Sequence, residues 1–207
     1  MKPSRGLLLG GVLAAAAAVG IGSQLHRGWG ATTEEQAEPL PGDDLIPDPR
    51  FRSTRAITVN APPEAVWPWL AQMGMGRAGW YSYDWLAQVF SSVSTRSTAR
   101  IIPALQDIKT GDPIDFLDRM VFTVAQAIPG ETLVLVADEN QRPLQPWVKS
   151  WSFILNRLPS GATRLLIREI SAWDSRLVGF LTSITGWAWF MATRRQLKNI
   201  KALAEAT

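Results

Sequence analysis

The chain has no cysteine and a single histidine, and both scarcities exclude chemistry. Without thiols there are no disulfides, no cysteine nucleophile and no thiolate-based zinc or iron–sulfur site. The one histidine, His26, stands beside an N-terminal apolar run. The remainder therefore offers no imidazole base for a hydrolase triad and no polyhistidine metal site. Charge of one sign is also scarce: Lys and Arg total 21 against 18 Asp and Glu, a formal charge of +3. Nucleic acid is not expected as a partner on that balance, and a nucleotide is not expected because of the glycine pattern read below. No cofactor and no metal are expected either. What the chain has in quantity is tryptophan, ten in 207 residues. Its large apolar face and single N–H suit a roomy cavity, a membrane interface or a packed core.

Gly6 to Leu25, GLLLGGVLAAAAAVGIGSQL, carries no charge. Twenty helical residues rise about 30 Å, the thickness of a bilayer's hydrocarbon core. Residues 1–30 are therefore expected to form a single-pass anchor in the cell membrane. Lys2 and Arg5 precede the run, which keeps the N-terminus cytoplasmic and sends the domain to the extracytoplasmic side. A cleaved signal peptide has the same pattern and is the rival reading. Residues 31–50 read as an acidic tether. Six carboxylates from Glu34 to Asp48 are interspersed with four prolines, leaving little apolar surface to bury.

Residues 51–207 carry the folded domain. RSTRAITVN (Arg52 to Asn60) alternates polar with apolar and predicts a strand. In APPEAVWPWLAQM, Val66, Trp69, Leu70 and Met73 hold the i, i+3, i+4, i+7 spacing of one buried helical face. Pro68 there predicts a kink or a delayed start. SYDWLAQVF predicts a second short helix with Ser82 as its N-cap. Strand patterns follow at Ala99–Ile102, Asp112–Leu117, Met120–Ile128, Thr132–Ala137, Trp147–Leu155 and Thr163–Trp173. From Ser175 onward the chain is helical. Trp189, Thr193, Leu197, Ile200 and Ala204 share one face, with Arg194, Arg195, Lys198 and Lys201 on the other. The uncharged half, Leu177 to Thr193, is expected to be buried against the sheet. The fold class is thus α+β: a curved antiparallel sheet of about seven strands around a long C-terminal helix, with two short helices after the first strand.

Gly74, Gly76 and Gly79 match a dinucleotide-binding G-x-G-x-x-G as text. That fingerprint needs a strand before it and a helix directly after. Here a helix pattern precedes it, so the glycines are expected to end a helix and let the chain turn tightly.

TRAITVNAPPEAVWPWLAQMGMGRAGWYSYDWL, IPALQDIKTGD, WSFIL and TRLLIRE together resemble the SRPBCC superfamily. This is the START-like, polyketide-cyclase/dehydrase group with the helix-grip fold, and the likeness is to one bacterial branch of it. The resemblance implies a hydrophobic cavity for lipids, polyketides or other apolar ligands, and in some members cyclisation or dehydration. The leading expectation is a membrane-tethered binding protein for an apolar or amphipathic small molecule. The alternatives are a cyclase- or dehydratase-type enzyme and a ligand-free structural module of a membrane complex.

Candidate residues follow from strand and helix periodicity. In TRLLIREIS, Arg164, Leu166, Arg168 and Ile170 lie on one face, with Leu165, Ile167, Glu169 and Ser171 on the other. If the first set faces the cavity, Arg168 pairs with a ligand acid. If the second does, Glu169 is a general acid whose pKa burial raises. The favoured alternative to both is that Arg168 or Glu169 forms a cross-strand salt bridge on the outer face. Asp84 and Tyr83 are the other candidates for proton transfer. Trp80, Tyr81, Tyr83, Trp85, Gln106 and Trp151 are candidates for lining the pocket.

Overall fold

The computed structural model describes residues 26–85, 96–117, 120–137 and 148–207. Six strands, β1 (Phe51–Val59), β2 (Pro113–Leu117), β3 (Met120–Ile128), β4 (Thr132–Ala137), β5 (Val148–Arg157) and β6 (Thr163–Ala172), form one antiparallel sheet. Their order is β1-β6-β5-β4-β3-β2. Strands β2 to β6 are a meander, and β1 joins β6 at the edge. A short helix α1 (Thr33–Ala37) precedes β1, α2 (Pro63–Ala71) follows it, and α3 (Arg176–Ala204) ends the chain.

One face of the sheet and one face each of α2 and α3 enclose the core. Val66, Trp69, Leu70 and Met73 are buried, as are Thr193, Leu197, Ile200 and Ala204 on α3. Across the strands the inward set includes Ile114, Phe122, Leu133, Leu135, Phe153, Leu165 and Ile167, all buried. Helix α2 starts at Pro63 and keeps Pro68 inside it, so its start is not delayed.

Two expectations about element number change. Ala99–Ile102 is not a strand, so the described residues hold six strands rather than seven. Its backbone is satisfied by a side chain instead of a neighbouring strand. Gln72 Nε2 donates to the Arg100 carbonyl at 3.0 Å, and the Ile102 N–H donates to Gln72 Oε1 at 2.9 Å. Pro103 then opens a 3-10 turn. After β1 only α2 is a defined helix; the second predicted one runs largely through residues 86–95, outside the described residues.

The glycine stretch forms a loop closed on itself. Gly74 and Gly79 exchange both backbone hydrogen bonds at 3.1 Å. Gly79 has φ +80°, and a Cβ there would meet Ser97 Cα at 2.7 Å. A left-handed backbone and close packing, rather than a phosphate, account for that glycine.

The acidic segment is not a free spacer. Residues 31–46 lie on the outer face of the sheet, where Leu40 and Ile46 are buried. A capping box between Thr32 and Glu35 starts α1. Glu35 takes Arg164 in a two-point ion pair at 2.7 and 2.8 Å. Arg168 donates to the Glu38 carbonyl at 2.7 Å and lies 3.6 Å from Asp43. The carboxylates thus neutralise the arginines that β6 presents outward, and this is why an acidic, proline-rich stretch folds down.

The membrane location is corrected. Among the described residues no helix is long and apolar enough to cross a membrane. The predicted anchor at Gly6–Leu25 lies outside the described residues. The uncharged half of α3 is also less buried than expected: Leu177, Phe180 and Trp187 are exposed. That half spans a cavity instead of a filled core, so only its inner face is covered.

Arg168 is fully buried, and its loss strands the acidic segment. Arg168→Ala is expected to lower unfolding free energy by about 3 kcal/mol. Arg164→Ala, at a partly exposed pair, is expected to cost about 1 kcal/mol. Urea unfolding measures both, and limited proteolysis should cut residues 38–45 faster in Arg168→Ala. Equal, negligible costs would contradict this account of the outer face.

Candidate functional site

Between the inner face of the sheet and α3 lies a cavity of about 520 Å³. The spacing of α3 builds one wall: Thr182, Thr185, Gly186, Trp189, Thr193 and Gln196 follow helical periodicity and all line it. The opposite wall is aromatic. Trp151 from β5 lies within 6.1 Å of Trp80, Phe116, Phe122 and Trp189, centroid to centroid, and stacks on Trp80 at 5.3 Å. Met75 and Met120 complete the apolar lining.

A charged cluster interrupts that apolar surface, and strand register places it. Ser53, Glu169 and Trp151 stand opposite one another across β1, β6 and β5. Arg55 pairs with Ile167 and Lys149 with Ser171, each two positions along from Glu169 on the same face. Diagonal neighbours of that kind are within reach of long side chains. Arg55 Nη1 donates to Glu169 Oε2 at 3.1 Å, and Lys149 Nζ donates to Oε1. The Trp189 indole N–H donates to Oε2 at 2.6 Å, which ties α3 to the sheet. Lys149 Nζ also lies 3.9 Å from the centre of the Trp189 ring. Arg55 is fully buried and Glu169 nearly so.

These contacts decide protonation. Burial pushes the Glu169 carboxyl up, but the charges of Lys149 and Arg55 and hydrogen bonds from Lys149 and Trp189 outweigh it. Its pKa is lowered below the ordinary value. Burial pushes the Lys149 ammonium down, and Glu169 pulls against that shift without cancelling it. The expected raised pKa of Glu169 is therefore corrected: burial alone would raise it, but two cations stand beside the carboxylate. It is a held carboxylate, unsuited to give up a proton as a general acid.

Of the predicted site residues, the fold brings Trp80, Tyr83, Asp84, Trp151 and Glu169 to the cavity. Asp84 accepts from the Ser97 hydroxyl at 2.7 Å and from its N–H at 3.1 Å. Arg195 lies over the Tyr83 ring at 4.7 Å. The other four lie elsewhere. Tyr81, at φ +55°, turns into the core, where its hydroxyl accepts from Gln72 at 2.6 Å. Burial raises its pKa. Gln106 belongs to the same Gln72 network, donating to Gln72 Oε1 at 3.1 Å. Trp85 is 62% exposed and off the lining. Arg168 is on the outer face under the acidic segment. Lys149, Arg55 and Trp189 were missed. For Lys149 a signal existed, because WVKSWSFIL puts it in phase with Trp151 and Phe153.

No family model matches the sequence, and no curated protein matches it. Several solved structures do. Protein CV1439 from Chromobacterium violaceum is 17% identical, spans 74% of this chain and 96% of its own, and has a TM-score of 0.44. PFC0360w, an HSP90 activator from Plasmodium falciparum, is 11% identical over 74% of this chain and 95% of its own, at 0.44. Protein MLL2253 from Mesorhizobium loti is 14% identical over 76% and 98%, at 0.40. Likeness at these scores carries no argument about function.

Because the Glu169 pKa is lowered on folding, its stabilisation is complete above the ordinary carboxylate range and lost as pH falls through the depressed value. Glu169→Gln leaves Arg55 and Lys149 without their carboxylate, an expected cost of about 3 kcal/mol at pH 7. Urea midpoints of wild type and variant should differ at pH 7 and converge as the pH drops. A constant difference into acid would contradict the ion cluster.

Proposed function

We propose that residues 51–207 form a binding domain for an apolar or amphipathic small molecule, held between the sheet and α3. The observation that carries this reading is the cavity itself. Its volume of about 520 Å³ falls within the roughly 300–1,000 Å³ typical of ligand sites. Its walls are aromatic and methionine side chains with a few polar groups, the pattern that gives affinity by burial and orientation by polarity. Trp80, Tyr83 and Trp151 are the proposed contacts among the residues singled out from sequence. The helix-grip resemblance of the sequence points to the same ligand class, and the chain's membership in that superfamily is part of this proposal.

The enzyme alternative loses its best acid, since Glu169 is held ionised between Arg55 and Lys149. Binding is therefore the reading the geometry supports best.

Titration with 1-aminoanthracene, a neutral apolar fluorophore, is expected to saturate at one molecule per chain. Ala192 lines the cavity, and Ala192→Phe should fill that wall and weaken binding by at least about tenfold, or ~1.4 kcal/mol. Its thermal midpoint should stay within a few degrees of wild type. Unsaturable binding, or equal affinity in the folded variant, would contradict the proposal.

A further inference from the structure

The outer side of α3's first half is an apolar stripe open to solvent. Leu177, Phe180 and Trp187 are 65%, 62% and 59% exposed, and their spacing puts them on one side of the helix. From Leu177 to Trp187 the stripe is about 15 Å long. No charged residue interrupts it, since Leu177 to Thr193 carries none. Single exposed apolar side chains are ordinary, but an uncharged stripe of large ones marks a contact surface.

The first described residues stand beside this stripe. The backbone is helical at His26 and Arg27. The His26 ring lies 6.0 Å from Trp187 and 5.8 Å from Phe190, centroid to centroid. Three residues later, Trp29 lies 6.4 Å from Phe190 and has Arg194 over its ring at 5.3 Å. Going back from Trp29 to His26 therefore moves back along α3, and the chain here runs parallel to that helix. Arg55 Nε donates to the His26 carbonyl at 3.1 Å and fixes this point of departure.

Gly6 to Leu25 precedes it, uncharged and rich in glycine and alanine. At helical spacing Gly22, Val19, Ala18 and Ala15 share the His26 side. Carried back at equal rise, the parallel register sets Val19 opposite Phe180 and Ala15 opposite Leu177. Small residues facing large ones let two helices interlock. The antiparallel direction would leave the exposed stripe and carry an uncharged run toward Arg194, Arg195 and Lys198.

We propose that the apolar N-terminal segment, Leu13 to Leu25, docks as a helix on the outer stripe of α3, parallel to it and with Val19 against Phe180. This chain's own segment is the occupant because His26 delivers it to the stripe, in the right direction and with no charge to bury.

The chain has no cysteine, so paired cysteines report the contact without background. The full chain carrying Val19→Cys with Phe180→Cys, or Ala15→Cys with Leu177→Cys, is oxidised in host lysate before detergent is added. Both pairs are expected to close a disulfide within one chain, which needs Cα atoms about 4.4–6.8 Å apart. Ala17→Cys with Phe180→Cys, on the far side of the segment, is expected to stay reduced. Disulfides between chains would overturn the proposal in favour of a second copy. Reduced thiols in both facing pairs, with the chain in the membrane fraction or elsewhere, would overturn it, as would an intact mass lacking residues 1–25. Should the cysteine variants fail to fold, charge substitutions decide. Val19→Asp should lower the thermal midpoint by about 3 °C or more, and Ala17→Asp should leave it in place. Equal midpoints for the two would overturn the proposal.

Discussion

The Glu169 carboxylate is where the two halves of the structure meet. It accepts from Arg55 on β1, Lys149 on β5 and the Trp189 indole on α3, so one side chain ties two strands and the terminal helix to β6. A buried carboxylate is tolerated only when its lone pairs are filled and its charge is met. Both conditions hold here, and in meeting them the fold fixes the distance between sheet and helix. The cavity exists because α3 is held there by a polar strut instead of being drawn down onto the sheet by a continuous apolar interface.

Strand β6 explains why the strut is matched by a second device on the far side. Its residues alternate between an inward set bearing Glu169 and an outward set bearing Arg164 and Arg168. A lone buried Arg168 would carry the same penalty as a lone buried carboxylate. The preceding acidic segment removes it, with Glu35 on Arg164 and Asp43 beside Arg168. Gly42 lets this segment lie close, since a Cβ there would meet Ser152 Oγ at 2.6 Å. Strand β6 is thus charged on both faces, with opposite charges set against each.

Much of the fold was legible because it rests on local periodicity. The strands at Met120–Ile128 and Thr132–Ala137 begin and end where the turn signals around them predict, and the face of α3 from Trp189 to Ala204 follows helical spacing. Choosing which face of β6 turns inward was beyond local patterning, since each set mixes charged and apolar residues. The choice depends on partners 129 positions away in sequence, as with Glu35 and Arg164. Tyr81 was misplaced for a similar reason: a positive φ in a non-glycine residue turns it away from its neighbours Trp80 and Tyr83. The tether reading weighed acidic composition without Arg164 and Arg168, which answer it from β6.

The central claim is that Glu169 is ionised inside the folded protein at neutral pH. Infrared spectroscopy, comparing wild type with Glu169→Gln, tests it directly. The account predicts that wild type shows no protonated-carboxyl stretch that the variant lacks, and that the difference spectrum holds only carboxylate bands. A protonated-carboxyl band present in wild type and absent from the variant would contradict it, and would restore Glu169 as a buried acid.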